Sequence, residues 1–414
     1  MKTVDILIKN ANEVLTLRGP RRARSGKEMR ELGIIKDGYV AIDEGKIVGV
    51  GRGKGDFNAD EVIDAKGKIV MPGFVDPHTH LVFSGWRDFE LKLKLKGLSY
   101  EEISREGGGI NYTVQLTRKA SKEKLVEEAM ERLDMMLLHG TTTCEAKSGY
   151  GLDVENEIKI LEVYKELNSK HQIDIVPTFL GAHAVPPEFK NSDDYVKLIV
   201  EKMIPKVVEK NLANFCDVFC ERGYFNLDQS RRILLRGKEY GLKPKLHADE
   251  FCSLGCSKLA CEVKAISADH LLKVPDEVIP ELARAGTIAI LLPATVFSMM
   301  NKEFAPARKL IDSGVAVALG TDLNPNCYTE NMQFVIQLAC FYMGMQPEEA
   351  IVASTINAAY SIKKGDQLGS IEEGKLADVL ILNAPSHTFI SYHFGVNLVN
   401  TVIKRGKIVY QQDI

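Results

Sequence analysis

Eight short apolar runs recur between residues 69 and 321, and stretches with helical period separate most of them. The runs are Ile69–Val75, Thr141–Glu145, Ile173–Leu180, Phe215–Cys220, Lys243–Leu246, Ala265–Ala268, Ile288–Leu292 and Val315–Gly320. Parallel strands cannot be joined by a tight turn, so this alternation predicts a parallel sheet with helical crossovers. The clearest crossover runs from Ser121 to Leu138, with Ser121 as N-cap, Glu127 and Glu128 within it, and Gly140 as the stop. A single apolar run is ambiguous between strand and buried helix. The number and order of the runs decide for an α/β fold, a (β/α)8 TIM barrel.

The flanks differ from the middle. Tyr39–Ile42 and Lys46–Val50 enclose Asp43-Glu44-Gly45, a hairpin pattern. Strand-like text returns at Ala377–Leu382 and at Val399–Tyr410, around the turn Lys404-Arg405-Gly406-Lys407. An all-β beginning and an all-β end predict a small β-sandwich domain built from both termini, residues 1–68 plus 365–414, around a barrel at 69–364.

Bulk properties narrow the functional classes. The 414 residues are 45% apolar and 26% charged, as in a soluble globular protein. A net charge of −3 gives no electrostatic reason for a nucleic acid or an anionic membrane as partner. The basic stretch Arg18 to Arg24 reads as a solvated loop. No apolar run reaches the length of a membrane span, and Val4-Asp5-Ile6-Leu7-Ile8 reads as a strand and not a signal peptide. The eight cysteines sit mostly in apolar segments, which suits buried thiols in a reducing cytoplasm. Cys252, Cys256 and Cys261 lack the Cys-x-x-Cys spacing of a zinc knuckle and are expected to pack on a helix.

Chemistry is concentrated where the runs end, which in such barrels is the catalytic face. The first run leads into Asp76-Pro77-His78-Thr79-His80. On an extended backbone His78 and His80 share a face, with Cα atoms about 6.6 Å apart, close enough to converge on one ion. Alone, the pair is half a site. Later runs lead into His183, His247-Ala248-Asp249-Glu250, Asp269-His270 and Thr321-Asp322-Leu323-Asn324, so five of the nine histidines fall on one rim. His78, His80 and His247 offer imidazoles and Asp322 a carboxylate, a donor set suited to Zn²⁺ or Fe²⁺ that would activate a water at neutral pH. Asp322 can also take that water's proton. Glu250 reads as a general acid/base or as a partner of a substrate nitrogen. His183 and His270 can polarise a carbonyl or orient the water, with a structural hydrogen bond as the other reading of His270. Arg87 and Tyr150 suit a substrate carboxylate, although a surface salt bridge explains Arg87 equally well. Gly107-Gly108-Gly109, with no phosphate-loop lysine after it, predicts a mobile lid.

These residues resemble the amidohydrolase superfamily, and within it the chain looks like a member of the imidazolonepropionase family. The resemblance runs through nearly the whole chain: Pro72 to Phe83, Lys147 to Leu152, Thr178 to Glu188, His247 to Glu250, Ser267 to Leu271, Thr321 to Pro325 and Tyr392 to Asn397. It implies hydrolysis of a small molecule, 4-imidazolone-5-propanoate, to N-formimidoyl-L-glutamate in histidine degradation. One Zn²⁺ or iron ion would be held by His78, His80, His247 and Asp322. Arg87, Tyr150, His183 and Glu250 match the family's substrate contacts, and Asn324 a product contact. A cytoplasmic homodimer is the family-level expectation.

One stretch departs from the family, which usually has Gly and a small hydroxyl residue where Asn326 and Cys327 stand here. Both are kept as candidate substrate contacts. Three rival readings exist on related sequences. A deaminase of a cytosine- or guanine-like ring would give Arg87 no carboxylate to bind. A non-catalytic assembly protein would have lost metal ligands. A two-metal hydrolase would need a bridging lysine where Glu221 stands, leaving only Lys147 nearby.

Overall fold

A computed structural model describes residues 2–412. Eight parallel strands form the middle of the chain in sequential order: Phe74–Thr79, Thr141–Lys147, Asp174–Ala182, Phe215–Cys220, a fifth in two pieces (Lys243–Pro244 and Leu246–Ala248), Ser267–His270, Ile288–Leu291 and Val317–Leu319. Every one but the first matches a predicted run to within a few residues, and the fifth is interrupted at Lys245. The ring closes beyond the eighth strand, where Leu323 bridges in parallel to Thr79 of the first. All seven residues of the second strand and all six of the fourth are buried, as strands covered on both faces must be.

The first predicted run divides. Ile69–Pro72 pairs antiparallel with Val379–Leu382 and parallel with Lys2–Leu15, in the other sheet. The barrel strand starts only at Phe74. Gly73 is the crossing point: its N–H goes to Asp378, while Phe74 donates to Gly140. A Cβ at Gly73 would stand 2.3 Å from Thr142 Oγ1, so no side chain fits between the two sheets.

The expected sandwich takes the form of one continuous eight-stranded sheet built from both ends of the chain. Its strand Lys2–Leu15 is bulged between Ile8 and Ala11, with Asn10 at φ 60°, and pairs with Phe57–Asp64 along one half and Ile69–Pro72 along the other. Ile6, Ile8, Val14, Val40, Val379 and Ile403 meet in its core. The predicted hairpin is present, Ile34–Asp43 against Lys46–Arg52, and Glu44 and Gly45 both take the positive φ of a primed turn.

The best-marked helix is Lys122–Leu138, where Ser121 Oγ accepts from Lys124 N at 3.2 Å and Gly140 leaves with φ 94°. Before it, Glu90–Leu95, Tyr100–Arg105 and Gly109–Lys119 form a helical excursion after the first strand. The glycine triplet, expected as a lid loop, instead joins two of these helices, and Gly109 N donates to Glu90 Oε1 at 2.8 Å. The basic stretch is not wholly solvated either. Arg24 is buried, its guanidinium donating to the carbonyls of Glu31 and Leu17.

Sheet and barrel are clasped by one lysine. Lys404 Nζ, from strand Val399–Lys404, lies 2.6 Å from Asp378 Oδ2 and 2.8 Å from Asp174 Oδ2 at the start of the third barrel strand. Removing one partner of a buried ion pair strands the other charge in a poorly polarisable medium. Lys404→Met is expected to destabilise the fold by about 3 to 5 kcal/mol, read as a lowered midpoint in denaturant unfolding. A midpoint equal to wild type would show that Asp378 finds another partner.

Candidate active site

The strand ends deliver the predicted side chains to one place. His78 lies on the first barrel strand and His80 just beyond it, His247 is on the fifth, His270 ends the sixth, and Asp322 follows the eighth. Two backbone hydrogen bonds fix the last of these against the first: Asp322 N to His78 O at 3.0 Å, and His80 N to Leu323 O at 2.8 Å. Asp322 (φ 51°) and His270 (φ 76°) both hold left-handed conformations that side-chain-bearing residues seldom adopt.

One ligand atom each from His78, His80 and Asp322 lie within 4.8 Å of one another, and so do one each from His78, His247 and His270. Two overlapping groups therefore share His78, and His270 stands with His247 in the second of them. Both His78 Nε2 and His80 Nε2 are 3.6 Å from Asp322 Oδ1. The donor chemistry fits a divalent ion. Burial holds His78, His80 and His270 well below the usual histidine pKa, so their imidazoles are neutral. His78 Nε2 and His247 Nε2 are buried without a hydrogen-bond partner, a costly state for a polar atom that an ion would relieve.

The ring orientations are set from behind. His78 Nδ1 meets Asp269 Oδ2 at 2.6 Å, and His247 Nδ1 lies 3.1 Å from Asp217 Oδ2, off the line of a straight hydrogen bond. A carboxylate can only accept, so His78 carries its proton on Nδ1 and turns the Nε2 lone pair outward. Lys147 Nζ sits between these carboxylates, 2.8 Å from Asp217 and 3.4 Å from Asp269, with Glu145 at 2.9 Å. Three carboxylates hold it as a charged ammonium.

The remaining candidates face a small cavity of roughly 50 Å³ beside the cluster. His183 stacks on His80, ring centroids 4.8 Å apart at 13°, and burial pushes its pKa down to about 3. Its Nδ1 lies 3.0 Å from Gly149 O. A carbonyl cannot donate, so the proton is on Nδ1 and Nε2 is a bare acceptor. His183 therefore suits a substrate N–H and, in this tautomer, cannot polarise a carbonyl as the sequence suggested. The close approach requires glycine at 149, where φ is 108° and a Cβ would stand 2.9 Å from the His183 ring.

Arg87 is buried in the cavity wall and not on the surface, gripped by Glu90 through Nε at 2.8 Å and Nη2 at 2.9 Å. Burial opposes its charge, but Tyr100 and Glu90 hold its pKa above the ordinary value. Nη1 has no protein acceptor among the described residues. Tyr150 is buried beside His80 and His183, and burial keeps its phenol protonated. Glu250 lies in the loop after the fifth strand, 3.6 Å from His270 Nδ1. Burial, with the charges of Asp322 and Glu221 adding to it, lifts its pKa well above the carboxylate range. Burial also raises Asp322 to about 6, against hydrogen bonds from Thr295 and Asn324.

The departing residues separate. Asn326 lines the cavity, and its Oδ1 is buried without a partner. Cys327 does not reach the cavity: its thiol turns to Thr321 O at 3.5 Å, and burial pushes its pKa up to about 12. Its backbone N–H instead donates to Asn324 Oδ1. Residues that the sequence reading passed over are Asp217, Asp269, Glu90, Tyr100 and Thr295. For Asp217 a signal existed, a carboxylate in the middle of the apolar run Phe215–Cys220, which is tolerable in a core only when paired.

Comparison with known proteins agrees with this geometry. Models of the amidohydrolase family match residues 61–165 and 243–409. The chain is 50% identical to an imidazolonepropionase of Alkaliphilus metalliredigens over 98% of both chains. It is 53% identical to one of Geobacillus kaustophilus, over 98% of this chain and 97% of the relative. Among solved structures it resembles a zinc-bound adenosine deaminase from Xanthomonas campestris, with a TM-score of 0.73 at 18% identity over 98% of this chain and 93% of the other. A 5-methylcytosine deaminase from Klebsiella pneumoniae gives a TM-score of 0.73 at 16% identity, over 99% and 98%. These distant structures share the fold; the close relatives fix the family. The chain belongs to the imidazolonepropionase family of the amidohydrolases.

Proposed function

We propose that this chain hydrolyses 4-imidazolone-5-propanoate to N-formimidoyl-L-glutamate. The observation that carries the reading is Arg87, a buried guanidinium with one free amino group, facing the same small cavity as the histidine–carboxylate cluster. One end of such a chamber takes an anion and the other a reacting carbonyl, as a cyclic amide bearing a propanoate tail requires. A deaminase acting on a neutral nucleobase would leave Arg87 Nη1 without a carboxylate to hold.

His78, His80, His247 and Asp322 would hold one Zn²⁺ or iron ion, with His270 within reach. Such an ion lowers the pKa of a water towards 7 and polarises a carbonyl oxygen. Asp322, at the edge of the cluster 3.6 Å from His78 and His80, is placed to take the proton of the attacking water. Water adds across the ring C–N bond, its oxygen to the carbonyl carbon and a proton to the departing nitrogen. Glu250, whose acid form burial and the charges of Asp322 and Glu221 favour, supplies that proton. His183 Nε2 accepts from a ring N–H, and Arg87 Nη1 with the Tyr150 hydroxyl holds the propanoate. Asn324, oriented by Asp322, can contact the product. Asn326 Oδ1 is a further acceptor.

A cytoplasmic location is supported by eight free cysteines, most of them buried. No described helix is long and apolar enough to cross a membrane. A homodimer is supported by an exposed aromatic patch on helix Met332–Met343 and the segment after it in space: Phe341, Tyr342, Tyr392 and Phe394 are 58 to 76% exposed. Apolar patches of this kind mark contact surfaces.

Four outcomes check these assignments. Purified protein incubated with imidazolone propanoate should consume it without releasing ammonia, a chelator should stop turnover, and Zn²⁺ or Fe²⁺ should restore it. In the same assay Arg87→Met should raise KM about 10- to 100-fold, the loss of a charge-assisted hydrogen bond, with metal content unchanged. Ammonia release would revive the deaminase reading. Glu250→Gln should lower kcat about 100- to 10,000-fold. In the wild type the raised pKa of Glu250 keeps the acid form below it, so activity should fall on the alkaline side, and in Glu250→Gln that limb should disappear from the pH profile. An unchanged limb would remove Glu250 as the acid. Light scattering should give a dimer of 46.0 kDa chains, and Phe341→Asp with Phe394→Asp should yield monomers.

A further inference from the structure

Beneath the histidines lies a layer of charge that hydrolysis itself does not use. Glu145, Lys147, Asp217, Lys245 and Asp269 have side chains that are wholly buried. Lone charges at such depth would be untenable, and each of these has an opposite charge beside it. The two lysines are connected differently. Lys245 Nζ reaches Glu145 at 3.3 Å and the carbonyl of Pro77 at 3.3 Å, and forms no ion pair with either aspartate. Lys147 Nζ touches the very oxygens that meet the imidazoles: Asp217 Oδ2, shared with His247 Nδ1, and Asp269 Oδ2, shared with His78 Nδ1.

We propose that Lys147 is a positioning residue of the metal centre, its ammonium locking Asp217 and Asp269 into one bridge that fixes the directions of His78 and His247. The proposal rests on the reading that this cluster binds a divalent ion. A ligand ring rotates about its Cβ–Cγ bond unless its second nitrogen is held, so the oxygen that holds it must itself be fixed. Here one cation fixes both oxygens, the one that hydrogen-bonds His78 Nδ1 and the one that faces His247 Nδ1 at 3.1 Å, on rings that come from the first and fifth strands. The same contacts exclude the rival role of Lys147 as a carbamate bridging two ions, since a nitrogen enclosed by three carboxylates is held as an ammonium without the lone pair that carbamate formation needs.

The test compares Lys147→Met with Lys245→Met in the full-length protein, both removing a buried ammonium. Zinc affinity of the metal-free proteins is measured by competition with a chromophoric chelator, and the ligand field is read from the visible spectrum after Co²⁺ loading. Lys147→Met is expected to bind zinc about 10- to 100-fold more weakly with a changed Co²⁺ spectrum. Lys245→Met is expected to lose thermal stability but to keep affinity within about threefold of wild type and an unchanged spectrum. Should Lys147→Met not fold, Lys147→Gln, which retains a donor without the charge, carries the same expectation. Wild-type affinity and spectrum in the folded Lys147 variant, or an equal loss in Lys245→Met, would overturn the proposal while leaving the metal centre standing. A wild-type protein that takes up no ion would remove the centre itself, and the proposal with it.

Discussion

The barrel closes through the residues that do its chemistry. Beyond the eighth strand, Asp322 N donates to His78 O and His80 N to Leu323 O, while the Asp76 carboxylate receives the Thr321 N–H and hydroxyl. These partners are some 245 residues apart in the chain, so the contacts form only when all eight strands are in register. Three candidate ligands, His78, His80 and Asp322, are consequently absent as a group from any partly closed state. The left-handed backbone of Asp322 is held by the same bonds. Strain of this kind persists only where surrounding structure over-determines it, and the closure supplies that.

Electrostatics explains why four imidazoles can crowd one rim. Burial strips His78, His80 and His270 of their protons, and His183 as well. Neutral rings can stack at 4.8 Å, as His80 and His183 do, without charge repulsion. What remains is a set of lone pairs with nothing to bind, backed by carboxylates. Such an interior is poorly matched to an empty cavity and well matched to a cation. The Glu145–Lys147–Asp217–Asp269 layer performs a second service, since it pairs its own charges and leaves His78 Nε2 and His247 Nε2 without a protein partner.

Much of this was legible in the sequence because it depends on period and position. Strand ends in a parallel barrel are predictable from apolar runs, and the rim residues follow from the strand ends. What was illegible depends on which atom faces which. The first run serves two sheets because Gly73 lets the chain cross between them; Pro72-Gly73 marks that break in the sequence, but the apolar residues on both sides of it read as one strand. Asp217 was hidden by its apolar neighbours. The role of His183 turned on a tautomer set by the Gly149 carbonyl, a contact between two different strand ends. Cys327 was expected at the substrate, yet a loop can aim neighbouring side chains in opposite directions, and here Asn326 points in and Cys327 points away.

That divergence determines what the departure from the family pattern can affect. Asn324 Oδ1 is held by the backbone N–H groups of residues 326 and 327, at 2.7 and 3.1 Å. Main-chain donors are indifferent to the side chain they carry, so replacing the usual glycine and hydroxyl residue leaves Asn324, and through it Asp322, oriented as before. Cys327 fills core space, and its thiol replaces a hydroxyl against Thr321 O. Of the two, only Asn326 lines the cavity, where it adds a buried acceptor without a partner among the described residues. A ligand presenting an N–H to it relieves that cost, worth about 1 to 3 kcal/mol for a buried polar group, and one presenting a C=O does not.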